Sequence, residues 1–348
     1  MDFFTRQIHQ WYCHFKRDLP WRNTTDPYYI WLSEIILQQT RINQGWAYYT
    51  RFTEAFPCVK DLANASEDQV LKLWQGLGYY SRARNLHHTA KLIVDQYGGK
   101  FPKTYKGLLS LKGIGEYTAA AIASISFHEQ VPAVDGNVYR VLSRYFGISE
   151  PMDTTPGKKI FMQLAKELVI GTNPGMHNQA MMEFGALQCT PLKPNCPECP
   201  LINSCFAYLN NKQGELPVKS KKAKQKNRYF NYFVLINNES TWLRKRTHND
   251  IWKNLYEFPM TETLTDTDLQ TLFSLDEVKN LLSDDFVIEK TGNWKVHLLT
   301  HQKIYYRILV IRLLKNNPLP GEFIQVNKAD IINFAIPKLL EKAVMEHI

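Results

Sequence analysis

Two closely spaced glycines and a later aspartate, within residues 108–144, constrain the fold of this chain more than any other feature. The stretch opens LLSLKGIGEYTAAAIA, with Gly113 and Gly115 two residues apart. Glycine can adopt positive φ and leaves backbone N–H groups accessible, so the spacing predicts a tight turn between two helices. The N-terminus of the helix opening at Glu116 would attract a phosphate. An ordinary helix–helix turn is the alternative interpretation.

A loop carboxylate follows this turn at Asp135-Gly136-Asn137, and apolar residues at helical spacing then resume. The combination resembles the helix-hairpin-helix motif plus aspartate of DNA base-excision glycosylases. The resemblance implies that Gly113 and Gly115 contact DNA phosphate. Lys112, inside the turn, is expected to be either a phosphate contact or a solvated charge.

Length and charge limit the classes of protein to consider. The chain has 348 residues, which predicts two or three domains, and a net charge of +9, which suits a polyanionic partner. No run of about 18 apolar residues is present, and the first residues lack a signal-peptide core. We therefore expect no membrane partner. The clustered cysteines suggest a metal site in a reducing cytoplasm, and we expect a monomeric, nucleoid-associated protein of prokaryotic type.

A second motif lies on a predicted helix over 28–44, which Asp26 caps and Pro27 begins. The periodicity places Glu34, Gln38 and Arg41 on one face, where a solvated stripe is the alternative to a functional site. An amphipathic helix is also predicted over residues 1–20. Its buried stripe would comprise Phe4, Ile8, Trp11, Tyr12 and Phe15.

The phrases WLSEIILQQT (31–40) and LPWR (19–22) resemble those of MutY-type adenine DNA glycosylases. A third match is GLGYYSRARNL (76–86), in which tyrosines that could enter a duplex accompany arginines that could pair with phosphates. The resemblance implies that Glu34 is the catalytic acid and that Gln39 and Tyr79 fill the space vacated by a flipped base. It also assigns substrate contacts to Trp21, Arg22, Leu77 and Gln179.

Tyr117 occupies the place where bifunctional relatives such as endonuclease III carry a lysine nucleophile. A lysine amine can form a Schiff base with the sugar and cleave the strand, whereas a phenol cannot. The resemblance further implies that Asp135 stabilises the sugar cation or forms a transient covalent bond with it. Asn137 and Tyr117 would hydrogen-bond around this carboxylate pair, in which Glu34 is protonated because a dry pocket raises its pKa.

Four of the six cysteines form the pattern Cys189-x6-Cys196-x2-Cys199-x5-Cys205. Four thiolates can hold zinc or a [4Fe–4S] cluster, and spacing in general separates these only weakly. The x6-x2-x5 spacing is that of the endonuclease III and MutY cluster, so the resemblance implies a structural [4Fe–4S] cofactor.

Residues 210–228 are lysine-rich and predict an extended linker. Residues 229–348 alternate strand and helix signals and resemble the Nudix-like domain of MutY proteins. Strands are predicted over 229–236, 241–245, 294–300 and 303–313, and helices over 266–282 and 337–345. The glutamate-rich Nudix metal box is missing after Pro259, so this domain is expected to recognise a ligand without hydrolysing it. Its 297–301 loop, HLLTH, resembles the family's loop that reads 8-oxoguanine. The resemblance implies that Thr300 and His301 contact this base, although Leu299 stands in place of the usual aromatic residue.

The predicted architecture is an all-α catalytic domain (1–209), a basic linker (210–228) and a Nudix-like α/β domain (229–348). The predicted function is monofunctional removal of adenine opposite 8-oxoguanine or guanine in double-stranded DNA. Two alternatives stay open. One is a pyrimidine-lesion glycosylase-lyase of the endonuclease III class, and the other is a non-catalytic iron–sulfur protein that binds DNA.

Overall fold

A computed structural model of the protein describes residues 2–220, 225–282, 285–315, 319 and 321–347. The chain divides into two compact units, one formed by Met1–Asn64 and Asn85–Lys221 and the other by Ala65–Arg84 and Lys222–Ile348. The sequence had placed residues 65–84 in the first domain, whereas their contacts group them with the C-terminal residues. Within the described ranges, no helix combines the length and hydrophobicity needed to cross a lipid bilayer.

Helices account for the regular structure of the chain up to residue 220. In chain order they are α1 (Phe3–Phe15), α2 (Pro27–Leu37), α3 (Ile42–Ala55), α4 (Val59–Asn64), α5 (Glu67–Trp74), α6 (Ser81–Tyr97), α7 (Tyr105–Leu109), α8 (Glu116–Phe127), α9 (Gly136–Phe146), α10 (Thr155–Val169), α11 (Pro174–Leu187) and α12 (Phe206–Leu209). The helix α5 lies in the second unit. The predicted all-α character of this part of the chain is confirmed.

The first unit has a core in which α1 packs with α9 and α11. The predicted stripe of Phe4, Ile8, Trp11 and Tyr12 is buried there. Phe15 was predicted to join it and does not, because α1 ends at this residue and its side chain is 62% exposed.

The helix predicted over 28–44 is two helices. Asp26 caps α2 by accepting a hydrogen bond from the Tyr28 N–H (2.8 Å), as predicted, but α2 ends at Leu37. Gln39 has a φ of +58°, a left-handed conformation that an α-helix cannot continue. Glu34, Gln38 and Arg41 therefore do not share a helix face, and that prediction was wrong.

The predicted hairpin is formed by α7, a turn and α8, and α9 follows it. Leu111 and Ile114 anchor the turn in the interior, while Gly113 supplies a φ of +79°. A Cβ at Gly113 would lie 2.6 Å from the Cβ of Asn85, so both the conformation and the packing require glycine.

The second unit contains a mixed β-sheet. Its described strands are β1 (Lys226–Asn237), β2 (Ser240–Lys245), β3 (Tyr256–Glu257), β4 (Met260–Thr263), β5 (Phe286–Thr291), β6 (Lys295–Leu298), β7 (Gln302–Leu313) and β8 (Phe323–Asn327). The main strand order is β3-β2-β1-β7-β5. Strands β6 and β7 pair, as the sequence suggests, and the structure shows that they run antiparallel, whereas the parallel pairing of β1 with β7 had no local signal in the sequence.

Helices cover both faces of this sheet. On one face α15 (Lys338–His347) packs through Leu339 and Leu340. On the other, α13 (Leu269–Ser274) and α14 (Asp276–Leu281) replace the single helix predicted over 266–282. This domain matches the predicted Nudix-like α/β architecture.

The predicted linker is not one extended segment. Leu216 is buried in the first unit, where its carbonyl accepts a hydrogen bond from the Arg144 Nε (3.1 Å), and the Met152 N–H donates to the Val218 carbonyl (3.1 Å). Residues 226–228 already belong to β1. Of the predicted linker, residues 221–224 lie outside the described residues.

Candidate active site

One cavity of about 670 Å³ in the first unit collects most of the residues predicted to act in catalysis. Among those that line it are Trp21, Arg22, Glu34, Gln39, Gly115, Tyr117, Asp135, Asn137 and Gln179. They come from α2, α8, α9 and α11 and from adjoining loops, so the cavity exists only where these elements meet.

Glu34, near the end of α2, is partly exposed to this cavity. Burial, together with the nearby Asp135 charge, outweighs the opposing effects of Tyr117 and Arg22 and raises the pKa of its carboxyl group to about 7. A carboxylic acid with a pKa near 7 holds its proton in a substantial fraction of molecules at neutral pH.

Asp135 is the N-cap residue of α9. Its Oδ1 accepts hydrogen bonds from the backbone N–H groups of Asn137 (2.9 Å) and Val138 (2.9 Å), and its Oδ2 accepts one from the Asn137 side-chain amide (2.6 Å). Burial raises the pKa of Asp135, whereas these three donors favour its charged form. Because it has more donors than Glu34, we assign the negative charge of the pair to Asp135.

Two further residues hold Asn137 in place. The Arg140 Nη2 donates to the Asn137 Oδ1 (2.8 Å) and to the Gly185 carbonyl (2.6 Å). Gly185 allows α11 to approach closely, since a Cβ there would lie 2.6 Å from the Asn137 Cβ. No motif in the sequence had marked Arg140 or Gly185 as functional residues.

Tyr117, in the first turn of α8, interacts with Met182 and with Glu34, which both line the cavity. Its hydroxyl donates to the Met182 sulfur (3.0 Å) and also favours the charged form of Glu34. A thioether is a weak acceptor, so an ionised Glu34 competes well for this single proton. Burial raises the pKa of the Tyr117 phenol well above its usual range, which keeps the phenol neutral.

A buried ion cluster forms the wall beside Glu34. Both guanidinium groups of Arg17 and Arg22 donate to Glu183, at distances of 2.5–2.8 Å, and Glu183 is 1% exposed. These bonds outweigh burial and lower the pKa of Glu183 to about 2. Arg22, predicted to contact substrate, lines the cavity while bound to Glu183, a partner that the sequence analysis did not identify.

Three other residues with predicted roles, Trp21, Gln179 and Gln39, differ in their surroundings. Trp21 is buried and packs edge-to-face on Trp46 and Tyr49, with ring centroids 6.0 and 5.2 Å away. The Gln179 Oε1 accepts a hydrogen bond from the Tyr12 hydroxyl (3.0 Å). Gln39 is exposed in the strained turn after α2.

The hairpin turn presents its polar groups to solvent. Lys112, Gly113 and Gly115 are exposed, and Gly115 caps α8 without a side-chain hydrogen bond. The first N–H groups of a helix without such a cap are available to a phosphate.

The second unit brings together other predicted residues in a pocket of about 330 Å³ lined by Tyr79, Trp252, Leu299, Thr300 and His301, among others. The Tyr79 and Thr300 hydroxyl groups form a short hydrogen bond. Tyr79 is 48% exposed and has a φ of +47°, a conformation rare for a bulky residue. Leu77 is buried and does not line this pocket.

The four clustered cysteines, all partly exposed, line one small cavity at the end of α11. The Arg144 Nη1 lies 3.4 Å from the Cys189 Sγ. In the part of the chain that the structure describes, no three or more His, Cys, Asp or Glu side chains are close enough together to hold a single metal ion.

Comparison with protein families agrees with this fold. Residues 32–169 match the model of the HhH-GPD superfamily of base excision DNA repair proteins, and residues 231–346 match that of the NUDIX domain. A solved thermostable thymine-DNA glycosylase is 33% identical, with a TM-score of 0.56 over 60% of this chain and 95% of that chain. The fold and the cavity define a helix-hairpin-helix protein of base excision DNA repair.

Individual relatives identify the family within this class. The adenine DNA glycosylase of Buchnera aphidicola subsp. Schizaphis graminum (strain Sg) is 35% identical over 317 residues, covering 90% of this chain and 87% of that protein. That of Mus musculus is 43% identical over 222 residues, covering 61% and 43%. The chain belongs to the adenine DNA glycosylase family.

Proposed function

We propose that this protein hydrolyses the N-glycosidic bond of adenine in double-stranded DNA, leaves an abasic site, and prefers adenine opposite 8-oxoguanine or guanine. One observation carries the proposal: Glu34 and Asp135, from distant parts of the sequence, face the same cavity, and the pKa of Glu34 is about 7. The names of the relatives support adenine as the base removed. The protein acts as a monomer on a DNA duplex.

Glu34 is the general acid. Adenine leaves slowly as an anion, so a proton transferred from Glu34 to N7 neutralises the charge that the departing base acquires when the bond between C1′ and N9 breaks. A general acid works best when its pKa lies near the operating pH, which is where burial places Glu34.

Asp135 stabilises the sugar. Loss of the base leaves positive charge on C1′ and the ring oxygen, and an ionised carboxylate favours this cation electrostatically. Water then adds to C1′ and gives its proton to a carboxylate of the pair. One protonated and one ionised carboxyl group is the arrangement used in glycoside hydrolysis.

The base must leave the helical stack to reach these groups. Flipping costs a few kcal/mol and costs least for a mispaired base. The cavity has room for an adenine. Trp21, Arg22 and Gln179 would contact it there. Gln39 of the first unit, and Tyr79 and Leu77 of the second, would each contact the DNA.

Recognition of the opposite base is assigned to the second unit. Thr300 presents a hydroxyl group and His301 a ring at an exposed turn, and Tyr79 is bonded to Thr300. A hydroxyl can either donate to or accept from the groups that distinguish 8-oxoguanine from guanine.

Cys189, Cys196, Cys199 and Cys205 would hold a [4Fe–4S] cluster. They fit this group because all four line one cavity and because Arg144, beside Cys189, offsets the negative charge of thiolates. When bound, the cluster supplies a rigid anchor for residues 189–205.

The direct test is incubation with a duplex that carries one adenine opposite 8-oxoguanine, followed by chromatography of the released bases. We expect free adenine and a strand cleaved only after alkali. The same duplex with adenine opposite thymine is the control and should release far less. Absence of adenine release from the first duplex would overturn the proposal.

A further inference from the structure

A buried threonine of α6 supports the hairpin turn from its inner side. Thr89 is fully buried, and its Oγ1 donates a hydrogen bond to the backbone carbonyl of Lys112 (2.6 Å). One helical turn earlier on α6, Asn85 packs beneath Gly113. The turn thus rests on two α6 side chains.

This hydrogen bond determines which way the next N–H group points. The carbonyl of Lys112 and the N–H of Gly113 belong to the same peptide group, which is planar and trans, so they point in opposite directions. Thr89 holds the carbonyl inward, toward α6. The Gly113 N–H is therefore directed away from α6, on the exposed side of the turn.

We propose that Thr89 is a positioning residue for DNA binding: it fixes the Lys112–Gly113 peptide so that the hairpin N–H groups are aligned with a DNA phosphate. The inference rests on the proposed function, since it takes duplex DNA as the ligand. Thr89 does not touch the DNA. It reduces the reorganisation that the turn would otherwise undergo on binding.

The test compares Thr89→Val, which removes the hydroxyl and keeps the shape, with Thr89→Ser, which keeps the hydroxyl. Duplex affinity is measured by fluorescence anisotropy on a DNA without mispaired adenine. We expect Thr89→Val to bind about five-fold more weakly, because DNA binding must then fix a peptide group that the Thr89 hydrogen bond no longer holds, and Thr89→Ser to bind like the wild type. Thr89→Ala also removes the hydroxyl but leaves a smaller side chain. Its affinity for the duplex should equal that of Thr89→Val.

Two further measurements separate positioning from other roles. The slope of log affinity against log salt should not change in Thr89→Val, because no charged phosphate contact is lost. Base release under saturating enzyme should keep its wild-type rate. Ser110→Ala is the matched control: Ser110 lies at the start of the turn and also donates to a carbonyl, but to that of Gly107 in α7 (2.7 Å) and not to the Lys112–Gly113 peptide.

The proposal fails if Thr89→Val and Thr89→Ala bind DNA like the wild type, if Thr89→Ser is as weak as Thr89→Val, or if the salt slope flattens. A lower saturated rate with unchanged affinity also overturns it. Because binding is scored without base release, the outcomes for affinity and salt slope are independent of whether the wild type excises adenine, and only the saturated rate requires excision.

Discussion

The carboxyl groups of Glu34 and Asp135 face one cavity but have different hydrogen-bond donors. Asp135 accepts three N–H groups, two from the backbone and one from an amide, whereas Glu34 interacts with a single phenol, that of Tyr117. Donors to a carboxylate favour its charged form. The difference in the number of donors assigns the proton to Glu34 and the negative charge to Asp135. The roles of the two residues can therefore be tested separately.

Glu34→Gln should abolish acid catalysis while leaving DNA binding intact. An amide of the same shape cannot protonate adenine, and loss of a general acid costs about 10²–10⁴ in rate. Single-turnover adenine release and duplex affinity are the measurements. Glu167→Gln, on the exposed surface of α10, is the control and should behave as the wild type. Wild-type release by Glu34→Gln would exclude Glu34 as the acid.

The rate of base release should fall above about pH 7. The acid is active only when protonated, and its protonated fraction decreases as the pH rises through the Glu34 pKa of about 7. We expect a decline approaching tenfold per pH unit on the alkaline side, measured in single turnovers from pH 6 to 9. The residual rate of base release by Glu34→Gln should not show this decline above pH 7. A flat or rising wild-type profile would contradict the assignment.

Asp135→Asn should lose activity without losing the fold. Asparagine is an N-cap residue as good as aspartate, so its Oδ1 can keep the cap of α9, but the bond from the Asn137 amide to Oδ2 and the negative charge proposed to stabilise the sugar cation are both lost. Thermal unfolding should shift little while base release drops by orders of magnitude. Asp26→Asn, the same change at the N-cap of α2, should affect neither quantity. Activity retained in Asp135→Asn would mean that the charge is not needed.

The product should be an uncut abasic site. Tyr117 is a neutral phenol beside Glu34 and cannot form a Schiff base. Gel analysis should show strand scission only after alkali, and borohydride should trap no covalent adduct. Endonuclease III, assayed on its own substrate, serves as the positive control for trapping. Prompt scission with a trapped adduct would favour the glycosylase-lyase alternative.

Thr300→Ala should reduce discrimination between 8-oxoguanine and guanine opposite adenine. It removes the hydroxyl that is bonded to Tyr79. Loss of one such contact predicts a decrease of about five-fold in the ratio of rates on the two duplexes, with release from the guanine duplex little changed. Thr300→Ser keeps the hydroxyl and should retain the preference. An unchanged ratio in Thr300→Ala would exclude this turn from recognition.

Local patterns in the sequence were sufficient to predict local structure. The spacing of Gly113 and Gly115 predicted the hairpin, and Asp26-Pro27 predicted the start of α2, because turn conformation and helix capping depend on neighbouring residues. The end of α2 was missed, since residues 38–41 carry no Gly or Pro and the left-handed Gln39 is the only break. The grouping of residues 65–84 with the second unit was missed because it depends on contacts with residues more than 150 positions away.

The sequence by itself identified Glu34, Asp135 and Tyr117 as candidate catalytic residues and the four cysteines as candidate cluster ligands. These predictions depend on residue type and spacing, which the sequence contains directly. Only the tertiary structure brought Glu34 and Asp135 to one cavity and paired Arg22 with Glu183, about 160 residues away. It also decided the protonation of Glu34, since a pKa depends on desolvation and on neighbouring charges that distant elements provide.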